Sequence, residues 1–210
     1  DGRYVVYASN AGNIVPGVGS GTIQVYVRDL ATDTTALASR SAAGAAANSQ
    51  SDLGAISPNG RFVSFRSFAT NLAGGPFASR VYVHDRVTLA TSSVPLPVLN
   101  AVTATGCREN DVADNGVVVL TCFFGSGLFD QVFLHIPGAA GTPFLISSDI
   151  NDVAGNQVSG TRVAIDASGL SMIFDSLASN LVGNDFNGVS DSFILIDEGI
   201  LDGIFADSFE

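Results

Sequence analysis

The sequence predicts an all-β protein, a β-propeller-like array of four units with about four antiparallel strands each. Three observations carry this. A turn glycine recurs as Gly2, Gly60, Gly116 and Gly169, at spacings of 58, 56 and 53 residues. Gly2, Gly60 and Gly169 are followed at matching offsets by Ser9, Ser67 and Ser176, then Ala11, Ala69 and Ala178. Next come Asn13, Asn71 and Asn180, each with Ile14, Leu72 or Leu181 directly after it. Finally, short β-branched and aromatic runs alternate with turns in a chain of 23 glycines and no tryptophan. The third copy lacks the asparagine and keeps Leu128 in register with Ile14, Leu72 and Leu181.

Each copy reads as the same series of strands. After the glycine runs Arg3–Tyr7, Arg61–Phe65, Val117–Thr121 or Leu170–Phe174, apolar enough to be buried between neighbouring sheets. A loop leads to the second strand, Ile23–Arg28, Arg80–His84, Gln131–His135 or Ser192–Ile196. A third follows in three copies: Thr34–Ser39, Thr91–Leu96 and Thr142–Ser147. A further strand precedes the glycine in three copies: Asp52–Ser57, Glu109–Ala113 and Arg162–Ala167. The alanine-rich Ser41–Gln50 contains Gly44 between two strand units and reads as an inter-unit loop. The whole is one domain, residues 1–210, in units of about 1–48, 49–100, 101–150 and 151–210.

The ends carry an expectation about assembly. Copy one has no strand ahead of Asp1-Gly2, so upstream sequence is expected. Copy four leaves a tail, Glu198–Glu210, with the apolar residues Ile204, Phe205 and Phe209. An unpaired strand edge is a template for addition. The simplest pairing sets Ile204–Phe209 beside Arg3–Tyr7, with Arg3, Tyr4 and Val5 on the receiving edge. Within one molecule this closes a four-bladed ring. Between molecules it gives an open array, and half of a larger propeller is a third picture.

Composition excludes several partners. Nine arginines, no lysine and 20 acidic residues give a net charge of −11. An acidic chain repels phosphate backbones and lacks the basic patch that anionic membranes attract, so neither nucleic acid nor membrane insertion is expected. No apolar run is long enough to span a bilayer.

The stretches 1–9 (DGRYVVYAS) and 56–63 (ISPNGRFV) resemble repeats of the TolB-type β-propeller family. So do the loop 178–191 (ASNLVGNDFNGVSD), as found in secreted bacterial members, and the strands 25–29 (VYVRD) and 81–85 (VYVHD). The resemblance covers nearly the whole chain and implies the fold; propellers host many activities. Copy three departs, its loop being cut to Gly125–Asp130. The end of the chain, 204–210 (IFADSFE), is similar to a C-terminal signature of secreted proteins of some Gram-negative bacteria, with serine in place of glycine. An extracellular or periplasmic location is therefore expected.

Candidate sites are few. Cys107 and Cys122, the only cysteines, flank the turn Asp114-Asn115. In a two-residue hairpin centred there they face each other, so a disulfide is expected rather than two buried thiols. Asp185, Asn187 and Asp191 could offer oxygens to Ca²⁺; they lack the glutamate and spacing of an EF-hand, and such residues in a Gly-rich loop more often form side-chain-to-backbone turns. The repeated Asn13, Asn71 and Asn180 read as residues that bond their own loop backbone. His84 and His135 share the register of Arg28, which reads as blade surface.

No catalytic motif and no cofactor-binding motif is found. The sequence therefore predicts a non-enzymatic extracellular or cell-surface scaffold acting through protein–protein contacts, including self-assembly into oligomers or filaments through the tail. A glycan or surface-ligand module and a hydrolase-type propeller are the alternatives. Loop-tip aromatics favour the first of these, and carboxylates meeting in one central pocket the second.

Overall fold

A computed structural model describes residues 2–73, 79–125, 127–139 and 141–196. The described chain is all-β, built as four consecutive antiparallel meanders, or blades. Blade 1 is β1 (Tyr4–Ser9), β2 (Gln24–Asp29) and β3 (Thr34–Leu37). Blade 2 is β4 (Ser51–Ile56), β5 (Phe62–Ser67), β6 (Arg80–Asp85) and β7 (Thr91–Ser93). A two-strand hairpin follows, β8 (Val98–Leu99) and β9 (Val102–Thr103), turning through Asn100 and Ala101 at positive φ. Blade 3 is β10 (Gly106–Val112), β11 (Val118–Phe123), β12 (Gln131–His135) and β13 (Phe144–Leu145). Blade 4 is β14 (Ser159–Ile165), β15 (Ser171–Ser176) and β16 (Asp191–Ile196).

The middle blades thus have the four expected strands, and the end blades three among the described residues. The expected tail residues Ile204, Phe205 and Phe209 lie outside the described residues.

The core lies between blades, because each sheet is apolar on both faces. Val25 and Val27 of β2 pack on Val63, Phe65 and Tyr82 of blade 2. Val81 and Val83 of β6 pack on Val118, Leu120 and Phe133 of blade 3. Val119, Val132 and Leu134 pack on Met172 and Phe174 of blade 4. The loop residues Ala69 and Leu72, and in blade 4 Ala178 and Leu181, plug these same layers. Among the described residues no core cluster joins blade 1 to blade 4.

One aromatic pair marks every blade. Tyr7 stacks on Tyr26 at 5.6 Å, Phe65 on Tyr82 at 5.8 Å and Phe174 on Phe193 at 5.4 Å. Each is a directly opposed cross-strand pair. Blade 3 puts Leu120 opposite Phe133 and brings the second ring from Phe124, 5.9 Å away.

The turn glycine has a tertiary role in copy two. Gly60 has φ 74°, and a Cβ there would lie 2.2 Å from the Tyr4 ring of blade 1. Only glycine combines that backbone with that close approach. Turn tips also hold one another: the Asp114 carboxylate accepts from the Asn59 backbone N–H, and Asn115 Nδ2 donates to the Ser168 carbonyl.

Candidate functional site

The structure gathers polar side chains into clasps between strands and loops. Asn71 Oδ1 accepts from the backbone N–H of Asn48, and Asn71 Nδ2 donates to the Ala46 carbonyl. Asn48 returns the bond, accepting from Thr70 N–H. Blade 4 repeats the arrangement with Asn180 on Asn156 and Ala154, and Asn156 on Ser179. These asparagines therefore hold the loop entering their blade, not their own loop as the sequence suggests. Asn13 has no such counterpart among the described residues.

A second clasp recurs in blades 1 and 3. Gln24 Nε2 donates to the Ala47 carbonyl while Ser39 Oγ–H donates to Gln24 Oε1. Gln131, Gly155 and Ser147 repeat it. Gln24 and Gln131 use both ends of their amides in this way, whereas the buried Oδ1 of Asn110 has no hydrogen-bond partner among the described residues.

Among the described residues, five arginines form ion pairs with aspartates. Arg3 binds Asp29 bidentately, and Arg61 binds Asp85 likewise. Those hydrogen bonds hold the two aspartates well below the usual carboxylate range. Arg66 pairs with Asp52 and Arg108 with Asp130. Arg3 and Arg86 also lie over the Tyr4 ring. Of the expected assembly edge, Arg3 and Tyr4 are thus tied into blade 1 and its junction with blade 2, while Val5 is exposed.

His84 corrects the sequence reading. It is buried between blades 1 and 2, not on a blade surface, with Nδ1 3.0 Å from Thr91 Oγ1. Burial, aided by Arg40, pushes its pKa down to about 4. The register shared with Arg28 misleads because blade 1, through Val27, Leu37 and Ala38, lies over this face of blade 2. Burial likewise lowers the pKa of His135.

Cys107 and Cys122 form a disulfide, directly opposed in the β10–β11 ladder. The expected hairpin geometry needs correction. The turn leaves Asp114, Asn115 and Gly116 between Ala113 and Val117, which sets Val112 opposite Val118. A bulge between Cys107 and Asn110 then shifts the ladder by one residue and brings the cysteines together. Corresponding bulges interrupt β4–β5 and β14–β15.

The loop of copy four brings Asn187 and Asp191 together. Asn187 Nδ2 donates to both Asp191 carboxylate oxygens at 3.2 Å, and Asn187 Oδ1 accepts from Val189 N–H at 2.9 Å. The oxygen of Asn187 thus closes an Asx turn. Among the described residues no group of three or more His, Cys, Asp or Glu is arranged to hold a metal. Phe186 projects from this loop almost fully exposed.

The outer faces of blades 1 and 4 differ: on blade 1 Val18, Ile14 and Val15 pack over Tyr26, Tyr7 and Leu37, while blade 4 leaves isoleucines exposed. On blade 4, Ile173, Ile194 and Ile196 point away from blade 3 into solvent. On blade 1, Val5 points away from blade 2 and is also exposed. The alternation along β16 runs half-buried, exposed, six residues long. Sequence reasoning placed these strands but did not separate the end faces from the interior ones.

No protein-family model matches this chain, and no curated protein matches it in sequence. Its fold is similar to that of TolB from Acinetobacter baumannii, with a TM-score of 0.50 at 12% identity over 94% of this chain and 41% of TolB. Kuenenia stuttgartiensis hydrazine synthase aligns at a TM-score of 0.36 and 14% identity, over 82% of this chain and 43% of that one. The second likeness is too low to carry an argument. The chain spans less than half the length of either.

Proposed function

We propose that this chain is a non-enzymatic scaffold, extracellular or periplasmic, that works through protein–protein contacts, including contacts with its own copies. The observation that carries the reading is the exposed apolar row of Ile173, Ile194 and Ile196 on blade 4. Apolar sheet faces left open in a soluble β-protein mark contact surfaces. The disulfide supports an oxidising compartment.

Strand exchange through Ile204, Phe205 and Phe209 onto the edge of β1 is one route to such contacts, and deletion of Gly203–Glu210 tests it. The broader reading is tested by sedimentation velocity over a hundredfold range of concentration. A mass that rises with concentration is expected. A compact monomer throughout, in a chain that also binds no surface protein of its own cell, overturns the scaffold.

Phe186 favours a second reading, a glycan or surface-ligand module. It stands at a loop tip beside Asp185, Asn187 and Asp191, an aromatic face next to polar oxygens. Oligosaccharide binding lost on Phe186→Ala would support it.

A further inference from the structure

The crevice between blades 1 and 2 collects three basic side chains. Arg40, His84 and Arg86 line a cavity of about 120 Å³ there, together with the apolar Val27, Ala36 and Leu89. The fold repeats this crevice at the next two junctions. His135 stands opposite Val118 as His84 stands opposite Val63, and it lines the crevice between blades 2 and 3. Repeat register sets Leu96 and Pro137 where Arg40 and Arg86 stand in the first. Between blades 3 and 4 the places of Arg40 and His84 go to Ser148 and Leu195, and Asp149 and Asp152 join the lining. Among the described residues the basic trio is confined to the first junction.

The protein does not neutralise this trio itself. Neither Arg40 nor Arg86 belongs to an ion pair among the described residues. The buried Nε of Arg40 has no hydrogen-bond partner among them, and a buried charged donor calls for one. Arg86 donates to the Gly60 carbonyl and lies over the Tyr4 ring, both uncharged. Asp85, between His84 and Arg86 in sequence, is engaged by Arg61. The Thr91 hydroxyl gives its proton to the Arg40 carbonyl, so His84 Nδ1 donates in its bond to Thr91. Nε2 is then the ring nitrogen open to a proton. Burial and Arg40, with Arg86, keep the ring neutral against the opposing pull of Asp85.

We propose that this crevice binds a short-chain carboxylate, its oxygens facing Arg40, Arg86 and the His84 ring and its carbon chain against Val27, Ala36 and Leu89. The volume is somewhat below the ~150 Å³ of a cavity that admits benzene, so about five heavy atoms fit, the size of propionate. The apolar walls suit a ligand with a carbon body better than inorganic phosphate, whose charge they would only desolvate. The net charge of −11 works against an acidic polymer, whose many charges feel the whole protein, more than against one carboxylate. A bound carboxylate supplies the negative charge that His84 lacks. Binding therefore takes up a proton, and affinity rises as pH falls. The site involves blades 1 and 2 alone and does not depend on contacts between copies.

The test is a titration of the full chain with sodium propionate, followed by amide NMR shifts against sodium chloride of equal ionic strength. Saturable shifts at Arg40, His84, Arg86 and Leu89 are expected, with tighter binding at about pH 5.5 than at about pH 7.5. Arg40→Gln, checked for folding by circular dichroism, should raise the dissociation constant about tenfold or more. Leu89→Glu, at an exposed position, tethers a carboxylate at the crevice and should block the titration independently of Arg40. Sodium phosphate should bind more weakly than propionate. Shifts that stay linear in propionate, or that persist unchanged in Leu89→Glu, would overturn the site. Phosphate binding more tightly than propionate would overturn the choice of a carboxylate.

Discussion

Asn48 and Asn71 hold each other's loops: each side-chain oxygen accepts a backbone N–H from the other's segment, 22 or 23 residues away in sequence. A pair of loops that would otherwise be tied only by strand ends becomes a fixed corner. Asn156 and Asn180 form the same corner in blade 4.

Asn71→Ala and Asn180→Ala should each cost about 1–2 kcal/mol, two solvent-accessible hydrogen bonds being lost. Asn13→Ala should cost distinctly less. Urea unfolding of the three variants checks this. Equal losses at all three positions would argue against the clasp.

Gly60→Ala should destabilise by roughly 2 kcal/mol or more, through the positive φ and the clash with Tyr4 together. Adding Tyr4→Ala to it should recover part of the steric cost relative to the sum of the single changes. Thermal melts of the double-mutant cycle read this coupling. Strict additivity would mean that the Gly60 turn does not press on Tyr4.

The disulfide closes a sequence separation of 15 residues. Reduction, or replacement of both cysteines by alanine, should lower stability by about 3 kcal/mol in the chain-entropy picture. Non-reducing peptide mapping should recover Cys107 and Cys122 in one linked species; free thiols at both positions would refute the bond.

Stability should fall on mild acidification. His84 has a pKa of about 4 in the folded chain and 6.5 as its ordinary value. The unfolded state therefore binds more protons between those values, and stability is lost as pH drops from about 6.5 to about 4. His135 acts in the same direction. Asp29 and Asp85, held ionised by Arg3 and Arg61, keep their contribution until pH falls below the ordinary carboxylate value. His84→Phe should flatten the decline between pH 6.5 and 4.5 in urea midpoints. An unchanged slope would show that His84 is not the group responsible.

Much of the fold is legible because propeller repeats are written locally. The turn glycine demands its position, and the strands beside it must be apolar on both faces. The aromatic pairs were equally legible, Tyr7, Phe65 and Phe174 standing five residues past the glycine, yet they carry meaning only once their partners across the ladder are known. The bulge that aligns the cysteines leaves no mark in residue types. Nor does the β8–β9 hairpin, whose turn uses Asn100 and Ala101 where an Asn-Gly would have announced it. His84 departs from a surface position because repeat register fixes which way a side chain points, not what the preceding blade lays over it. Ile194 and Val27 share a register too, yet blade 2 buries Val27 while Ile194 is exposed.

Blades 1 and 4 share no core cluster among the described residues, so the four blades form an open series. The most direct measurement is the distance between spin labels on Val5→Cys and Ile194→Cys within one chain, diluted into unlabelled protein. An open series places the two labels well beyond the ~10 Å that separates packed sheets. A distance near that spacing would mean that blades 1 and 4 meet in a closed four-bladed ring, and would contradict the account.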